Sequence, residues 1–498
     1  MQYGVPISIG LSVDGTSYPE QTVGFPVTIA NNSGQAPTNV YVTLSSQNAS
    51  KTAPTFYYTD FLKTGQPVPY PTPADHQETT NTVNTSYGVP LSELSINGDG
   101  TPPFRFIMST INMVSGRVYL SLGQSVNIGL VNTFDGPAGN RTWTGVGLQS
   151  PPFGWAGQDS SRKATGNYPY DKVELSCTDA LYANITNVDY FSFSMALSVT
   201  TKNTTLGPVG FGESRAIIMS DLISNLPSAF IGKATGQGNG LSPANGTQLN
   251  ASGSVDSPAS GNIVRVLAPN HVIDGGQADA SVLRTYLDTA INDGWTYYGN
   301  AANQPAMDAA YNNSQIKYPA DHPQFGFRFV YPGDDALLGE IVNNNINGYT
   351  AKTQIPVTSA TQLVFYCTYC SDPTGLTGLH EVLTVGVPHT VDVFSNEGGS
   401  LTNAGTDGRK RLNSLIGAAL TRGVFTEYAN WGVPLNYYTT SSHNNGTWND
   451  YSQFLHNHAI SRLCYGFGYD DVYGQDPTLS TAYSNGNVMD VTITFNQY

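Results

Sequence analysis

Charged side chains are scarce in this sequence: Asp, Glu, Lys and Arg make up only 11% of its 498 residues. Acidic residues outnumber basic ones by 36 to 21, and the formal net charge is −15. Nucleic acid and an anionic membrane surface are both bound through basic patches, so we expect neither as a partner. The chain also has no apolar run near the ~20 residues that span a bilayer. A neutral polymer such as a polysaccharide remains open as a partner.

Cysteine is scarce too, and four residues are too few for a disulfide-dense scaffold. Cys367 and Cys370 form a CxxC pair whose surroundings match no standard zinc site, so a local disulfide or two free thiols is the better interpretation. Cys177 and Cys464 are either buried apolar residues or a long-range pair. We expect no metal and no organic cofactor.

The N-terminal stretch MQYGVPISIGLSVDG has neither the basic region nor the long apolar core of a signal peptide. Scarce lysine, an acidic net charge and 30 tyrosines nevertheless fit an extracellular protein better than a cytosolic one. We therefore expect a secreted protein whose signal peptide is absent from this chain.

The length of the chain exceeds one ordinary hydrophobic core, so two domains are expected. Before residue 265, short apolar runs separated by Gly, Pro and Asn turns predict a β-sandwich or barrel. Further along, Ser281 caps a predicted helix that ends near Gly294, and a second helical pattern covers residues 407–421. Residues 489–495 alternate again and predict a final strand.

The most informative segment is residues 171–199, DKVELSCTDALYANITNVDYFSFSMALSV. Its first half alternates, and the polar face of the predicted strand carries Glu174, Ser176 and Thr178. A second acid, Asp189, opens the next apolar run. Two carboxylates with nearby hydroxyls are the groups that cleavage of a glycosidic bond requires. Exposed strand faces are also commonly polar, so the pattern alone leaves both interpretations open.

Four segments of the chain share their order with one known family, and they are FPVTIANNSG (25–34), SGRVYLSLG (115–123), residues 171–199 and RLCYGFGYDDVYGQD (462–476). Together they resemble glycoside hydrolase family 64, the endo-acting 1,3-β-glucanases that release laminaripentaose. The resemblance implies a mainly β fold, a thaumatin-like β-barrel or sandwich with an inserted α/β lobe and a wide cleft between them. It places residues 1–265 and 440–498 in the barrel domain and residues 266–439 in the lobe.

The resemblance also implies roles for individual residues. Glu174 and Asp189 match the two catalytic acids, with Glu174 as general acid and Asp189 as general base of an inverting mechanism. Inversion requires the two carboxyl groups to be ~6.5–9.5 Å apart, so that a water fits between them. The positions expected to bind the sugar are Ser176, Thr178, Tyr182, Asp470 and Asp471.

The expected partner is therefore 1,3-β-glucan, and the expected state is a monomer. Two other classes of function remain open at this stage. One is a β-glucan-binding protein on the same fold with little or no hydrolysis. The other is an extracellular structural protein, suggested by the extra strand-like segment VPISIGLSV before the usual start of the barrel.

Overall fold

The structure is a computed structural model, and it describes residues 12–13, 16–17, 25–48, 56–60, 66–69, 85–95, 98–108, 113–135, 142–149, 168–177, 180–231, 241–243, 263–274, 280–303, 325–369, 380–395, 399–402, 405–440, 446–482 and 487–498. In this part of the chain no helix is long and apolar enough to cross a membrane.

The strands of the described residues are β1 (Ser12–Val13), β2 (Thr16–Ser17), β3 (Phe25–Asn31), β4 (Val40–Asn48), β5 (Phe56–Asp60), β6 (Gln66–Pro69), β7 (Thr85–Ser86), β8 (Val89–Pro90), β9 (Phe104–Met108), β10 (Met113–Leu122), β11 (Asn127–Asp135), β12 (Thr142–Gln149), β13 (Tyr170–Cys177), β14 (Ala180–Ile185), β15 (Tyr190–Phe191), β16 (Met195–Thr201), β17 (Thr205–Gly210), β18 (Leu241–Pro243), β19 (Ile263–Leu267), β20 (Phe325–Phe329), β21 (Gln362–Tyr369), β22 (His380–Gly386), β23 (Leu479–Ala482) and β24 (Val488–Phe495).

The α-helices are α1 (Arg215–Asn225), α2 (Ser228–Ile231), α3 (Pro269–Asp274), α4 (Ala280–Arg284), α5 (Asp288–Gly299), α6 (Asp335–Asn343), α7 (Thr390–Ser395), α8 (Asp407–Thr421) and α9 (Asp450–His458). Short 3₁₀ helices lie at Leu91–Leu94, Ala301–Asn303, Ile346–Gly348, Lys352–Gln354, Gly399–Leu401, Tyr428–Asn430, Pro434–Asn436 and Ile460–Arg462.

Two sheets pack face to face and form a β-sandwich. The larger sheet has the strand order β23-β14-β13-β10-β4-β5-β6, with β8 paired to β4, and the smaller has the order β17-β16-β24-β3-β9. Apolar residues from one face of each sheet share a single core, including Val173 and Leu175 on β13 and Val491 and Ile493 on β24. The mainly β prediction is confirmed. Of the two forms expected, the described strands make an open sandwich, because neither sheet closes on itself.

The C-terminal strand lies inside the smaller sheet. β24 pairs antiparallel with β16 and parallel with β3, so the end of the chain separates two strands from the first half. The predicted strand at 489–495 is confirmed by β24. Helix α9 contributes Tyr451 and Leu455 to a different core, described next. The division into residues 1–265 with 440–498 and residues 266–439 stays a prediction.

A second core packs around the helices and reaches the outer face of the larger sheet. Its centre is aromatic, with Trp295 stacked on Phe425 at a ring distance of 4.9 Å and Phe425 in turn on Trp431 at 5.4 Å. Tyr119 on β10 and Tyr170 on β13 belong to this same core. The larger sheet is therefore covered on both faces where β13 begins.

The helix predicted from Ser281 is interrupted, and it forms α4 and α5. Between the two helices, the Leu287 N–H donates to the Thr390 hydroxyl at 2.9 Å. This partner outside the helix replaces a helical hydrogen bond and interrupts the helix. Helix α5 then continues past Gly294, where a Cβ atom would lie 2.5 Å from the Phe425 ring. Glycine is thus required there by close packing and does not end the helix. The helix predicted at 407–421 is confirmed by α8.

The cysteine alternatives are resolved for the described residues. Cys177, Cys367 and Cys464 are free and buried. Cys177 lies in the core of the sandwich and Cys464 in the second core, so they act as buried apolar residues. Cys370 lies outside the described residues.

Strand β24 offers a test of how much the sandwich depends on the end of the chain. Ile493→Ala should lower the free energy of unfolding by about 2–5 kcal/mol, because Ile493 is fully buried between the sheets. Met489→Ala on the same strand should change it by less than about 0.5 kcal/mol, since Met489 is 43% exposed. Urea denaturation of both variants checks this, and equal effects would show that β24 adds little to the core.

Candidate active site

The outer face of β13 opens to solvent at Glu174. The first four residues of the strand are buried, and from Glu174 onward half-buried and buried residues alternate. Glu174 is paired across the sheet with Arg117 on β10 and with Asn184 on β14. Ser176 is paired with Tyr182. Because paired residues point to the same face of a sheet, these five side chains share one polar surface.

The expected sugar-binding residues on this surface are accessible. Tyr182 is 44% exposed, so its side chain is accessible from solvent. The Ser176 hydroxyl is half-buried and accepts a hydrogen bond from the Ser115 N–H at 3.1 Å. Thr178 lies outside the described residues. Whether these side chains contact a sugar stays a prediction.

Glu174 has a cation beside it. The Arg117 Nε atom lies 3.4 Å from the Glu174 Oε1 atom, and both side chains are partly accessible, with 27% and 33% of their surface exposed. This contact is an ion pair across the strand pair, without a hydrogen bond from Nε.

Asp189 lies in the loop between β14 and β15, and two basic side chains hold its two oxygens. The Lys172 ammonium contacts Oδ2, and the His271 Nε2 atom lies 2.9 Å from Oδ1. Burial alone would raise the pKa of Asp189, but Lys172 and His271 outweigh it and hold that pKa well below its ordinary value. Asp189 is therefore ionised near neutral pH and cannot be the proton donor there.

A buried carboxylate fixes this loop to β13. Asp171 accepts hydrogen bonds from three backbone N–H groups, those of Lys172, Ser192 and Phe193, each at 2.9 Å. The last two follow Asp189 closely in the chain, whereas Lys172 precedes Glu174 by two residues. Asp171 thus joins the segment that carries Asp189 to the strand that carries Glu174.

Glu174 and Asp189 are brought near each other through Lys172, which contacts Asp189 and lies on the same strand as Glu174. Lys172 and Glu174 lie two residues apart on one strand and so point to the same face, with Cα atoms about 6.6–6.8 Å apart. Burial lowers the pKa of Arg117 and of Lys172, but Tyr119 and the carboxylates of both Glu174 and Asp189 act to raise each of these pKa values. The two acids therefore face one pair of cations.

Four residues of this site were not predicted, and they are Arg117, Asp171, Lys172 and His271. For Lys172 the signal was present, because its spacing of two from Glu174 puts it on the polar face. His271 is 82 residues from Asp189, and no local pattern connects the two. Among the described residues, no group of three or more His, Cys, Asp or Glu side chains is arranged to hold a metal ion.

Asp470 was also expected to bind the sugar, but in this structure its side chain is fully buried. Its Oδ1 atom pairs with Arg422 Nη2 at 3.1 Å, and its Oδ2 atom accepts the Gly466 N–H at 2.8 Å. His456 Nε2 lies 3.1 Å from the same Oδ2 atom. Asp470 instead ties the 462–476 loop to the end of α8.

Asp471, the next residue, is exposed and remains a candidate for sugar contact. Partial burial of its carboxyl group and the nearby carboxylates of Asp476 and Asp470 raise the pKa of Asp471 to about 6. Tyr465 lies between this loop and the site. Burial raises the pKa of its phenol, and the carboxylates of Asp471 and Glu174 raise it further. The Asn187 N–H also donates to the Tyr465 carbonyl at 2.9 Å.

The two adjacent acids should behave oppositely on substitution. Asp470→Asn should lower the free energy of unfolding by about 3–5 kcal/mol, because it leaves the buried Arg422 guanidinium without its counter-charge. Asp471→Asn should raise the melting temperature at pH 7, because a pKa of about 6 means that ionisation of Asp471 disfavours the folded state.

The pH dependence provides the check. Below about pH 4 Asp471 is protonated in both the folded and the unfolded chain, so wild type and Asp471→Asn should melt alike there. Their melting curves should separate as the pH rises through 6. Thermal melts of both variants from pH 3 to 8 measure this, and a stabilised Asp470→Asn variant would contradict the structural role of Asp470.

Comparisons with known proteins identify the family of this chain. The model of the β-1,3-glucanase family, glycoside hydrolase family 64, matches residues 24–235 and 330–495. No curated protein sequence matches the chain. Two solved structures share its fold at 18% sequence identity, which by itself carries no conclusion beyond the fold.

The first is a β-1,3-glucanase domain of family 64 from Clostridium beijerinckii, with a TM-score of 0.60 over 95% of this chain and 98% of that chain. The second is a laminaripentaose-producing β-1,3-glucanase in complex with laminaritetraose, with a TM-score of 0.57 over 95% of this chain and 99% of that chain. Because the family model covers more than half of its residues, this chain belongs to glycoside hydrolase family 64, the β-1,3-glucanases.

Proposed function

We propose that this protein hydrolyses 1,3-β-glucan with inversion at the anomeric carbon and releases oligosaccharides such as laminaripentaose. The observation that carries the proposal is the pair of carboxylates, Glu174 and Asp189, on one accessible face beside Lys172 and Arg117. One of the two, Asp189, is held ionised by its partners. A glycosidase of this type needs one carboxyl group in each protonation state.

The roles are those that the family resemblance implies, and the ionised state of Asp189 supports its role. Asp189 is the general base, which takes a proton from water as the water oxygen attacks the anomeric carbon. Glu174 is the general acid, which donates its proton to the glycosidic oxygen as the bond from that oxygen to the anomeric carbon breaks. Each carboxyl group ends the step in the opposite protonation state, and exchange with solvent restores both.

The surroundings of the two acids suit a neutral, hydroxyl-rich polymer. Tyr182 offers an accessible ring for stacking on a glucose face, and Ser176 opposite it offers a hydroxyl group. Asp471 offers a carboxyl group from the 462–476 loop. The low content of basic residues gives no comparable basis for recognising an anionic polymer.

We further propose a secreted monomer with a thaumatin-like sandwich domain, formed by residues 1–265 and 440–498, and a lobe formed by residues 266–439. The pairing of β24 with strands of the first half supports the assignment of the end of the chain to the sandwich domain. Extracellular 1,3-β-glucan would then reach the cleft directly.

Activity and product length test the proposal together. On a linear 1,3-β-glucan, wild type should release reducing ends and a narrow range of oligosaccharides, whereas Glu174→Gln should lower kcat by about 10²–10⁴-fold. The amide keeps the shape of the side chain, so glucan binding and the melting temperature should change little. Glu93→Gln, the same substitution at an exposed site in the 3₁₀ helix Leu91–Leu94, is the matched control and should equal wild type.

The outcomes separate the classes of function. Full activity in Glu174→Gln would remove Glu174 from the mechanism. Glucan binding without any release of reducing ends by wild type would instead indicate a binding protein.

The stereochemistry gives an independent test. Proton NMR of the first products should show the α-anomer before mutarotation, because water attacks the face opposite the leaving group. An initial β-anomer would require a covalent intermediate and would reassign both carboxyl groups. A short time course with a large amount of enzyme makes the first anomer visible.

A further inference from the structure

The loop that carries Asp189 is held by the first strand and helix of the lobe. β15, which follows Asp189 directly, pairs with β19. The Ala268 N–H donates to the Asp189 carbonyl at 2.9 Å, and three residues later His271 reaches the Asp189 side chain from α3. Main chain and side chain of Asp189 are therefore held by one continuous segment, Ile263–Asp274.

We propose that His271 is a positioning residue of the active site, which donates a hydrogen bond from Nε2 to Asp189 and fixes the orientation of that carboxylate. The proposal rests on the proposed function, in which Asp189 is the general base. It assigns a part of the catalytic arrangement to the lobe, whereas every residue predicted for the chemistry lies in the sandwich.

The geometry explains why two partners are needed. An ionised carboxylate only accepts hydrogen bonds, so the hydrogen between the 2.9 Å pair must lie on the imidazole nitrogen. Lys172 alone would restrain Oδ2 and leave the group free to turn about its Cβ–Cγ bond. With His271 on Oδ1, both oxygens are fixed and the plane of the carboxylate is set. The side chain is still 30% exposed, so a water can approach it.

Asp189 is surrounded by titratable groups from several elements. Those that interact with its charge are Lys172 and Tyr170 on β13, Arg117 on β10, His271 on α3 and Tyr451 on α9. Lys172 and His271 make the two hydrogen bonds to its carboxylate. Loss of the His271 hydrogen bond should therefore raise the pKa of Asp189 while Lys172 still keeps it below the ordinary value.

Three variants test the proposal on a soluble 1,3-β-glucan oligosaccharide. His271→Ala should lower kcat by about 10–100-fold with KM within about twofold, because the side chain contacts the base and not the sugar. The acidic limb of its kcat/KM profile should move to higher pH. His271→Gln, whose amide nitrogen can take the place of Nε2, should recover most of kcat. His389→Ala, which removes an exposed imidazole of the lobe, is the control and should equal wild type.

Thermal melts show whether each variant is folded. Wild-type kcat and pH profile in His271→Ala would overturn the proposal. It would also be overturned if the Gln variant were as impaired as the Ala variant, because the volume of the ring and not its hydrogen bond would then matter.

Asp189→Asn, measured in parallel, distinguishes a failure of the positioning role of His271 from a failure of the proposed function. An inactive Asp189→Asn with a fully active His271→Ala removes only the positioning role. An active Asp189→Asn removes Asp189 as the base, and the proposed function and the role of His271 fall together.

Discussion

The active site depends on one buried carboxylate that makes no contact with the reacting groups. Asp171 binds three backbone N–H groups, one on its own strand and two just beyond Asp189. Burial raises the pKa of Asp171 to about 6, although the three hydrogen bonds oppose this. Without Asp171 these amides would be buried without partners, which costs about 1–3 kcal/mol for each. The same interaction keeps the loop of Asp189 against β13.

A chain with few charges places several of them where they hold elements together. One buried cluster joins Arg422, Asp470 and His456 and fixes the C-terminal loop on α8. Two further arginines are fully buried: Arg215 donates to the Ser192 carbonyl, and Arg265 donates to the Tyr168 carbonyl. The Arg422 cluster joins the end of α8 to the C-terminal loop, whereas the Arg215 and Arg265 bonds join segments within the first 265 residues.

The two acids of one Asp-Asp pair illustrate how far a sequence pattern reaches. Asp470 and Asp471 are neighbouring residues of the same type, and both were expected to bind the sugar. In the fold, successive residues of the loop point in different directions, so Asp470 is buried on Arg422 while Asp471 reaches solvent. The break between α4 and α5 has a similar cause, because Thr390, about a hundred residues away, takes the hydrogen bond of Leu287.

What the sequence determined by itself was local and periodic. The alternation of β13 placed Glu174 on a polar face, the pattern at 407–421 predicted α8, and the resemblance to family 64 predicted the fold class. What only the tertiary structure decided was which side chains meet across long separations. His271 and Asp189 are brought together by the pairing of β15 with β19, and periodicity within a segment carries no information about the partner that another segment brings to it.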